Sequence, residues 1–269
     1  MKKSVVSKEY TNLQKEIIKL QEQWKQSLTP EIVKPSLDKA AIEAGVPAAA
    51  LTAIDFDIPL FLQWIDEIND LISKQNPEQG PRVKKLGELL DSETAIRWID
   101  EAFSLNQFYF VSFAQENEIE EWIPQFFAET ALRPYLQLVA EVLKDEITQA
   151  IPGLGCPVCG EPVRLAQLEG EGKKVVNCPR CLAHWSEKRV CCSHCGNDDH
   201  KTIQNITIEG DPTSQIQVCE KCHGYVKVID TRQFISKPSS AILDLNTIHL
   251  DFVAQENGYT VSARESESN

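Results

Sequence analysis

Four C-x-x-C pairs carry the chemistry of this chain: Cys156/Cys159, Cys178/Cys181, Cys192/Cys195 and Cys219/Cys222. All nine cysteines of the 269-residue sequence lie between Cys156 and Cys222. A C-x-x-C on a tight turn aims two thiolates at one point about 2.3 Å from a tetrahedral ion, and two such turns close a four-sulfur site. The spacing predicts two sites: Cys156, Cys159, Cys178 and Cys181 in the first, and Cys192, Cys195, Cys219 and Cys222 in the second. Eighteen residues separate Cys159 from Cys178, inside the usual ribbon window of about 15–20. Twenty-three separate Cys195 from Cys219, which asks for a longer hairpin. Zinc and iron both accept four thiolates.

The elements that position these sulfurs repeat one plan of knuckle, strand, turn, strand, knuckle, strand. In the first half, Pro162–Leu168 turns at Glu169–Gly172 into Lys174–Asn177, and the chain leaves Cys181 along Ala183–Trp185. In the second, Lys201–Ile208 turns at Glu209–Pro212 into Gln215–Val218, and the chain leaves Cys222 along Tyr225–Ile229. Alternation and β-branched residues mark the strands, and Gly/Pro clusters mark the turns. The repetition reads as an internal duplication of one ribbon, with the join Cys178–Gly196 short enough to pack both as one unit. Trp185 and Arg189 are candidate neighbours of the sites, shielding sulfur from water and compensating thiolate charge; hairpin packing and a surface cation explain them equally well. Tyr225 is a third candidate of this kind. Cys191 breaks the register and reads as a bystander thiol. His184, His194, His200 and His223 lie near the knuckles, but eight cysteines leave no position for them.

Other uses of the cysteines fit less well. Met1–Val6 offers two lysines with no apolar run behind them, which argues against a secretory signal and so against four disulfides. A redox C-x-x-C of the thioredoxin kind needs a βαβ context that these hairpins lack. Closed four-sulfur sites leave no coordination position for an activated water, and no paired carboxylate or Ser/His arrangement is evident, so the chain does not read as an enzyme. A nucleic-acid-binding zinc ribbon is the alternative, but the net charge of −13 is a poor match for phosphate backbones. Val46–Ile54, the longest apolar candidate, is too short to span a bilayer. The expectation is a cytoplasmic protein without membrane insertion or nucleic-acid partner.

Composition divides the chain in two. Residues 1–150 hold no Cys or His and carry a net charge of −10, whereas residues 151–269 carry −3. From Ser7 to Leu28 the residues Tyr10, Leu13, Ile17, Leu20, Trp24 and Leu28 form one helical stripe, ended by Thr29-Pro30. Further helices are expected at Pro59–Ser73, Lys84–Leu90, Ser92–Leu105 and Glu118–Thr148, the last interrupted at Pro124 and Pro134. Trp64, Trp98 and Trp122 are expected in the core. Ile151–Gly155 is a linker. After Lys237–Ser240, one helix with Ile242, Leu245, Ile248 and Phe252 on its buried side ends at Gly258, and the tail Ser262–Asn269 is expected to fray.

The cysteine region resembles the formate dehydrogenase accessory protein family, the FdhE-like proteins. The matching residues are Cys156-Pro-Val-Cys159-Gly160; the run from Cys178 and Cys181 through Trp185 and Arg189 to Cys192, Cys195 and Gly196; and Val218-Cys219 with Cys222, Tyr225, Lys227 and Asp230. Leu245, Thr247, Leu250-Asp251 and Gly258-Tyr259 also fit, whereas Ser239-Ser240 departs from the acidic residues expected there. The resemblance implies an α+β fold: an N-terminal all-α helical domain (1–150), two tandem rubredoxin- or zinc-ribbon-like metal domains (156–190 and 191–232), and a C-terminal helix (238–260). It further implies a maturation factor, chaperone-like and not itself a dehydrogenase, that binds the catalytic subunit of formate dehydrogenase. Two metal ions are implied, rubredoxin-type iron first and zinc as the alternative; a homo-oligomer is compatible with this reading.

Overall fold

A computed structural model describes residues 7–147, 150–151 and 153–261. The helix end expected at Thr148, Pro152 of the linker and the tail Ser262–Asn269 lie outside the described residues. The chain divides into two compact units, one of Lys8–Lys34 with Ile54–Leu138, the other of Pro35–Ala53 with Val139 onward. Two three-residue strands, β1 (Val33–Pro35) and β2 (Thr52–Ile54), lie at the passages between them in sequence.

The first unit is helical: α1 (Lys8–Ser27), α3 (Ile58–Gln75), α4 (Gly80–Leu89), α5 (Ser92–Phe103), α6 (Gln107–Glu116) and most of α7 (Trp122–Val142); the short α2 (Lys39–Glu43) belongs to the other unit. Capping side chains start α3 and α5 where apolar periodicity begins. Asp57 accepts from the Leu60 N–H at 2.9 Å and Asp91 from the Thr94 N–H at 2.8 Å, each satisfying a donor that the first turn leaves free. Of the stripe expected on α1, Ile17 and Trp24 are buried, and Tyr10 is exposed. Trp24 stacks on Trp64 at 5.1 Å, and Trp64 meets Tyr135 at 5.3 Å. Trp98 is buried too, but Trp122 is 42% exposed, which corrects the expectation that all three tryptophans are core. Trp122 opens α7, where its ring has solvent on one side. Helix α6, rich in aromatics on every face, carried no helical stripe for the sequence to reveal.

Helix α7 also corrects the expected breaks at Pro124 and Pro134. Pro124 falls in the first turn, where its missing N–H has no intrahelical partner to lose. Pro134 sits inside the helix and deprives the Thr130 carbonyl of its usual donor. The buried Gln21 side chain supplies a replacement, its Nε2 donating to Thr130 O at 2.9 Å. Gln21→Leu is therefore expected to lower stability by about 1–3 kcal/mol, read as a shift of the urea midpoint, because it strands a buried carbonyl; an unchanged midpoint would show that Gln21 has no such role.

The second unit is built on one six-stranded sheet of order β5-β4-β3-β8-β7-β6. The strands are β3 (Leu165–Glu169), β4 (Lys173–Asn177), β5 (His184–Glu187), β6 (Ile203–Ile208), β7 (Asp211–Cys219) and β8 (Tyr225–Asp230). Each ribbon is a three-stranded antiparallel sheet, and the two fuse through the parallel pair β3/β8, from Leu165↔Lys227 to Leu168↔Asp230. The chain between β5 and β6 joins opposite edges of this sheet. Buried Lys174 ties it down, reaching Cys191 O at 3.0 Å, Glu187 at 3.0 Å and Gln217 Oε1 at 2.7 Å.

The expected single C-terminal helix is two, α8 (Ser240–Asn246) and α9 (Ile248–Glu256), broken at Thr247. Ser239, where the resemblance anticipated acidic residues, caps α8 by accepting from the Ile242 N–H at 3.4 Å. The break changes the buried side: Leu243, Leu250 and Ala254 pack with Leu165, Ile216, Val218, Tyr225 and Ile229, and Phe252 faces solvent.

Candidate metal centres

All four C-x-x-C segments close in the same way. The carbonyl of the first cysteine accepts from the N–H four residues on, in the pairs Cys156/Gly160 at 2.8 Å, Cys178/Leu182 at 3.0 Å, Cys192/Gly196 at 2.9 Å and Cys219/His223 at 2.9 Å. The N–H of that cysteine donates to the carbonyl one residue further, on Glu161, Ala183, Asn197 and Gly224, at 2.8–3.0 Å. The residue four on has positive φ in every knuckle: Gly160 at 74°, Leu182 at 63°, Gly196 at 71° and His223 at 54°. Four copies of one backbone loop thus point eight thiols inward.

Gly155 prepares the first knuckle under tighter constraint. Its φ is 75°, and a Cβ there would lie 2.6 Å from Gly160 O and 2.7 Å from Glu161 O. Gly155→Ala is expected to cost about 2 kcal/mol or more, seen as a lower melting temperature, since backbone rather than a side chain must move. A melting temperature equal to wild type would contradict this.

The knuckles gather the sulfurs in two groups, Cys156/Cys159/Cys178/Cys181 and Cys192/Cys195/Cys219/Cys222, each with all four ligand atoms within 4.8 Å of one another. Close approaches join opposite knuckles: Cys156–Cys181 at 3.5 Å, Cys159–Cys178 at 3.6 Å, Cys192–Cys222 at 3.6 Å and Cys195–Cys219 at 3.7 Å. These are not disulfides, whose sulfurs lie about 2.05 Å apart. They are near the roughly 3.8 Å edge of a tetrahedron whose corners stand about 2.3 Å from a central ion. The donor set therefore fits one tetrahedral ion per group, and cysteines alone make up both groups.

Protonation in the groups follows the same logic. Burial pushes the Cys159 and Cys181 thiols well up; at Cys178 burial acts in the same direction but is outweighed by hydrogen bonds from Cys156, Cys159 and Cys181, which hold it well down. In the second group burial raises Cys192 and lifts Cys222 to about 11. Cys219 is brought down to about 7: burial is overcome there by the N–H groups of Cys222 and Lys221 and by the Asn197 amide, whose Nδ2 lies 3.5 Å from the sulfur. Each group contains a sulfur held toward the thiolate beside neighbours that keep their protons, and a bound cation displaces such protons.

Comparison with known proteins agrees with the sulfur pattern. Residues 190–266, holding the second ribbon and both final helices, match the family described as "FdhE, C-terminal domain". A "Protein FdhE homolog" from Aquifex aeolicus is 29% identical over 235 residues, covering 83% of this chain and 76% of that one. Another from Shewanella baltica is 31% identical over 107 residues, a match spanning 39% of this chain and 35% of that relative. The crystal structure of the FdhE protein from Pseudomonas aeruginosa superposes with a TM-score of 0.66 at 20% identity, over 93% of this chain and 86% of that one. This chain is similar to FdhE proteins over most of its length.

Within this FdhE-like fold the other singled-out residues take definite places. Trp185 is buried on β5 opposite Val176. Arg189 is exposed, and its guanidinium lies over the β3–β4 turn at Gly172 and helps hold Asp230 down. Tyr225 donates its hydroxyl to Asp251 at 2.8 Å. His194 is buried, with Nε2 donating to Tyr225 O at 2.9 Å, whereas His184, His200 and His223 are exposed. Cys191 is half-buried outside both groups. Sequence reasoning missed Arg180, which lies inside the second knuckle, is almost fully buried and donates from Nη1 to Cys159 O at 3.3 Å. Its position between Cys178 and Cys181 was the available signal, because four thiolates around a divalent ion leave a net negative charge that a buried cation offsets. Lys227 was named only as a residue of the resemblance; the structure places it fully buried and 2.7 Å from both Asp244 Oδ1 and Asp251 Oδ2.

Proposed function

We propose that this chain is a cytoplasmic accessory protein for formate dehydrogenase, a maturation factor that binds the catalytic subunit and carries two tetrathiolate ions. The observation that carries the reading is the pair of four-sulfur groups, built by four like knuckles, in a chain similar to FdhE proteins. Cys156, Cys159, Cys178 and Cys181 hold one ion and Cys192, Cys195, Cys219 and Cys222 the other. Iron is the ion that the family resemblance suggests, and it would add one-electron chemistry that zinc lacks.

The protein's own part is mechanical. A bound ion supplies roughly 10–16 kcal/mol of apparent binding energy, more than a small ribbon's apolar core provides, and so rigidifies each knuckle pair. The β3/β8 pairing joins the two pairs into one platform, and α8 and α9 are bolted to it through Lys227. That rigid surface is what docks the immature subunit. With all four coordination positions taken by sulfur, no water is activated, consistent with a helper and not a catalyst. The chain's net charge of −13 disfavours the nucleic-acid reading. Among the described residues no helix is long and apolar enough to cross a membrane.

Two measurements test the proposal. Tagged protein expressed in a host that makes formate dehydrogenase should retain the catalytic subunit, and recovery without it would reject the partner. Anaerobic purification with metal analysis should return two ions per chain, red if ferric and colourless if zinc; a chain free of metal would reject the cages.

A further inference from the structure

The two groups of sulfurs differ in how far solvent reaches them. In the first, Cys156, Cys159, Cys178 and Cys181 are all at most 5% exposed. Its first knuckle is covered from outside by a segment distant in sequence: the N–H groups of Ala48 and Ala49 donate to Pro157 O and Val158 O at 2.9 Å, and Pro47 stands over Gly160. Arg180 plugs the facing knuckle. In the second group Cys192 and Cys219 are buried, Cys222 is half-buried and Cys195 is exposed. Its last knuckle is covered by Thr260, bridged to Gly224, and by Tyr259 beside His223, but Cys195 on the opposite knuckle faces water.

We propose that the second cage is the exchangeable one, able to pass its ion to, or take it from, an incoming thiolate or amine chelator, while the first cage is a permanent structural site. The proposal rests on the reading that both cages hold ions. Exchange at a tetrathiolate is stepwise: an entering donor bonds to the ion as one cysteine sulfur lets go and takes up a proton from water, with no change in oxidation state. The entering donor must reach the ion, and the shell around a site controls that access. Only the second cage includes an exposed cysteine, so on this proposal Cys195 is the ligand that lets go first.

The test uses the full chain loaded with Zn(II) and challenged with excess 4-(2-pyridylazo)resorcinol. In parallel, N-ethylmaleimide labelling is mapped by peptide mass. Cys191, half-exposed and outside both cages, serves as the internal labelling control. We expect one zinc equivalent to leave about tenfold or more faster than the other, a range in keeping with the effect of the surrounding shell on metal sites. Cys195 and Cys222 should be alkylated in that fast phase, with the four first-cage cysteines protected. Two equivalents leaving in a single phase, or first-cage cysteines labelled as early as Cys195, overturn the asymmetry and leave the cages standing. Loading of fewer than two equivalents overturns the cages and this inference together.

Discussion

Cys178→Ser is expected to cost the protein one of the two ions that its cysteine groups can hold and to unfold more of it than its own knuckle. Cys178 is the sulfur of the first group held furthest toward the thiolate, and it lies in a site with no solvent to replace a lost ligand. A serine hydroxyl stays protonated at neutral pH and cannot stand in for a thiolate. The variant forfeits much of the roughly 10–16 kcal/mol of apparent binding energy of a structural tetrathiolate, a loss comparable with the whole stability of an ordinary domain. Because β3 carries β8 as its parallel neighbour, the damage spreads into the second ribbon. Metal analysis should fall from two equivalents to one or fewer, and the thermal transition should broaden and drop. Cys191→Ser, by contrast, should keep both equivalents, since Cys191 stands outside the groups. A Cys178→Ser protein with full metal content and an unaltered melt would refute the cage as a fold determinant.

Lys227→Met ranks next. Lys227 is fully buried; its Nζ donates to Asp251 Oδ2 at 2.7 Å and lies 2.7 Å from Asp244 Oδ1, an ion-pair contact without hydrogen-bond geometry. Arg164 reaches Asp244 from the other side at 3.2 Å. Methionine matches the stem of lysine but leaves two half-buried carboxylates facing each other with one cation gone. Breaking a buried pair from one side costs about 3–5 kcal/mol, so the urea midpoint should fall accordingly. Adding Asp251→Asn should recover part of the loss, the coupling expected of groups in direct contact.

The pH dependence of this cluster has a definite sign. At Asp244 burial pushes the carboxyl up, but Arg164 and Lys227 outweigh it and hold it below its ordinary 3.8. Its stabilising contribution is thus present above 3.8 and lost as pH falls through the folded value. Asp251 is raised, by burial first, and so contributes in the opposite sense, with stability present below 3.8 and lost as pH rises through its folded value. Without Lys227 both carboxyls move up. The deficit of Lys227→Met relative to wild type should therefore shrink as pH is lowered from neutrality toward the ordinary carboxyl value of 3.8; a deficit that grew would show that the charges are not its origin.

Much of the candidate site was legible before any coordinates because its information is local. A C-x-x-C knuckle closes within six residues, and its cysteine spacing alone pairs one knuckle with the next. Alternating apolar residues and Gly/Pro turns likewise placed β3 to β8 within a few residues of their observed limits. The helices were legible where an apolar pattern ran at helical spacing, as in α1, α3 and α5. Helix α6 was not, because its aromatic residues show no single stripe.

What the sequence by itself determined is which eight sulfurs gather, in which two sets, and that helices precede them. Only the tertiary structure decided that Gln21 rescues the carbonyl orphaned by Pro134 from 109 residues away, that β3 and β8 weld the ribbons in parallel, and that Pro47–Ala49 covers the first knuckle and leaves Cys195 of the second in water. The physical reason is range. Knuckle and strand geometry depend on hydrogen bonds between near neighbours, which spacing encodes, whereas the burial of Lys174, Arg180 and Lys227 depends on partners brought from remote parts of the chain, which no local pattern records.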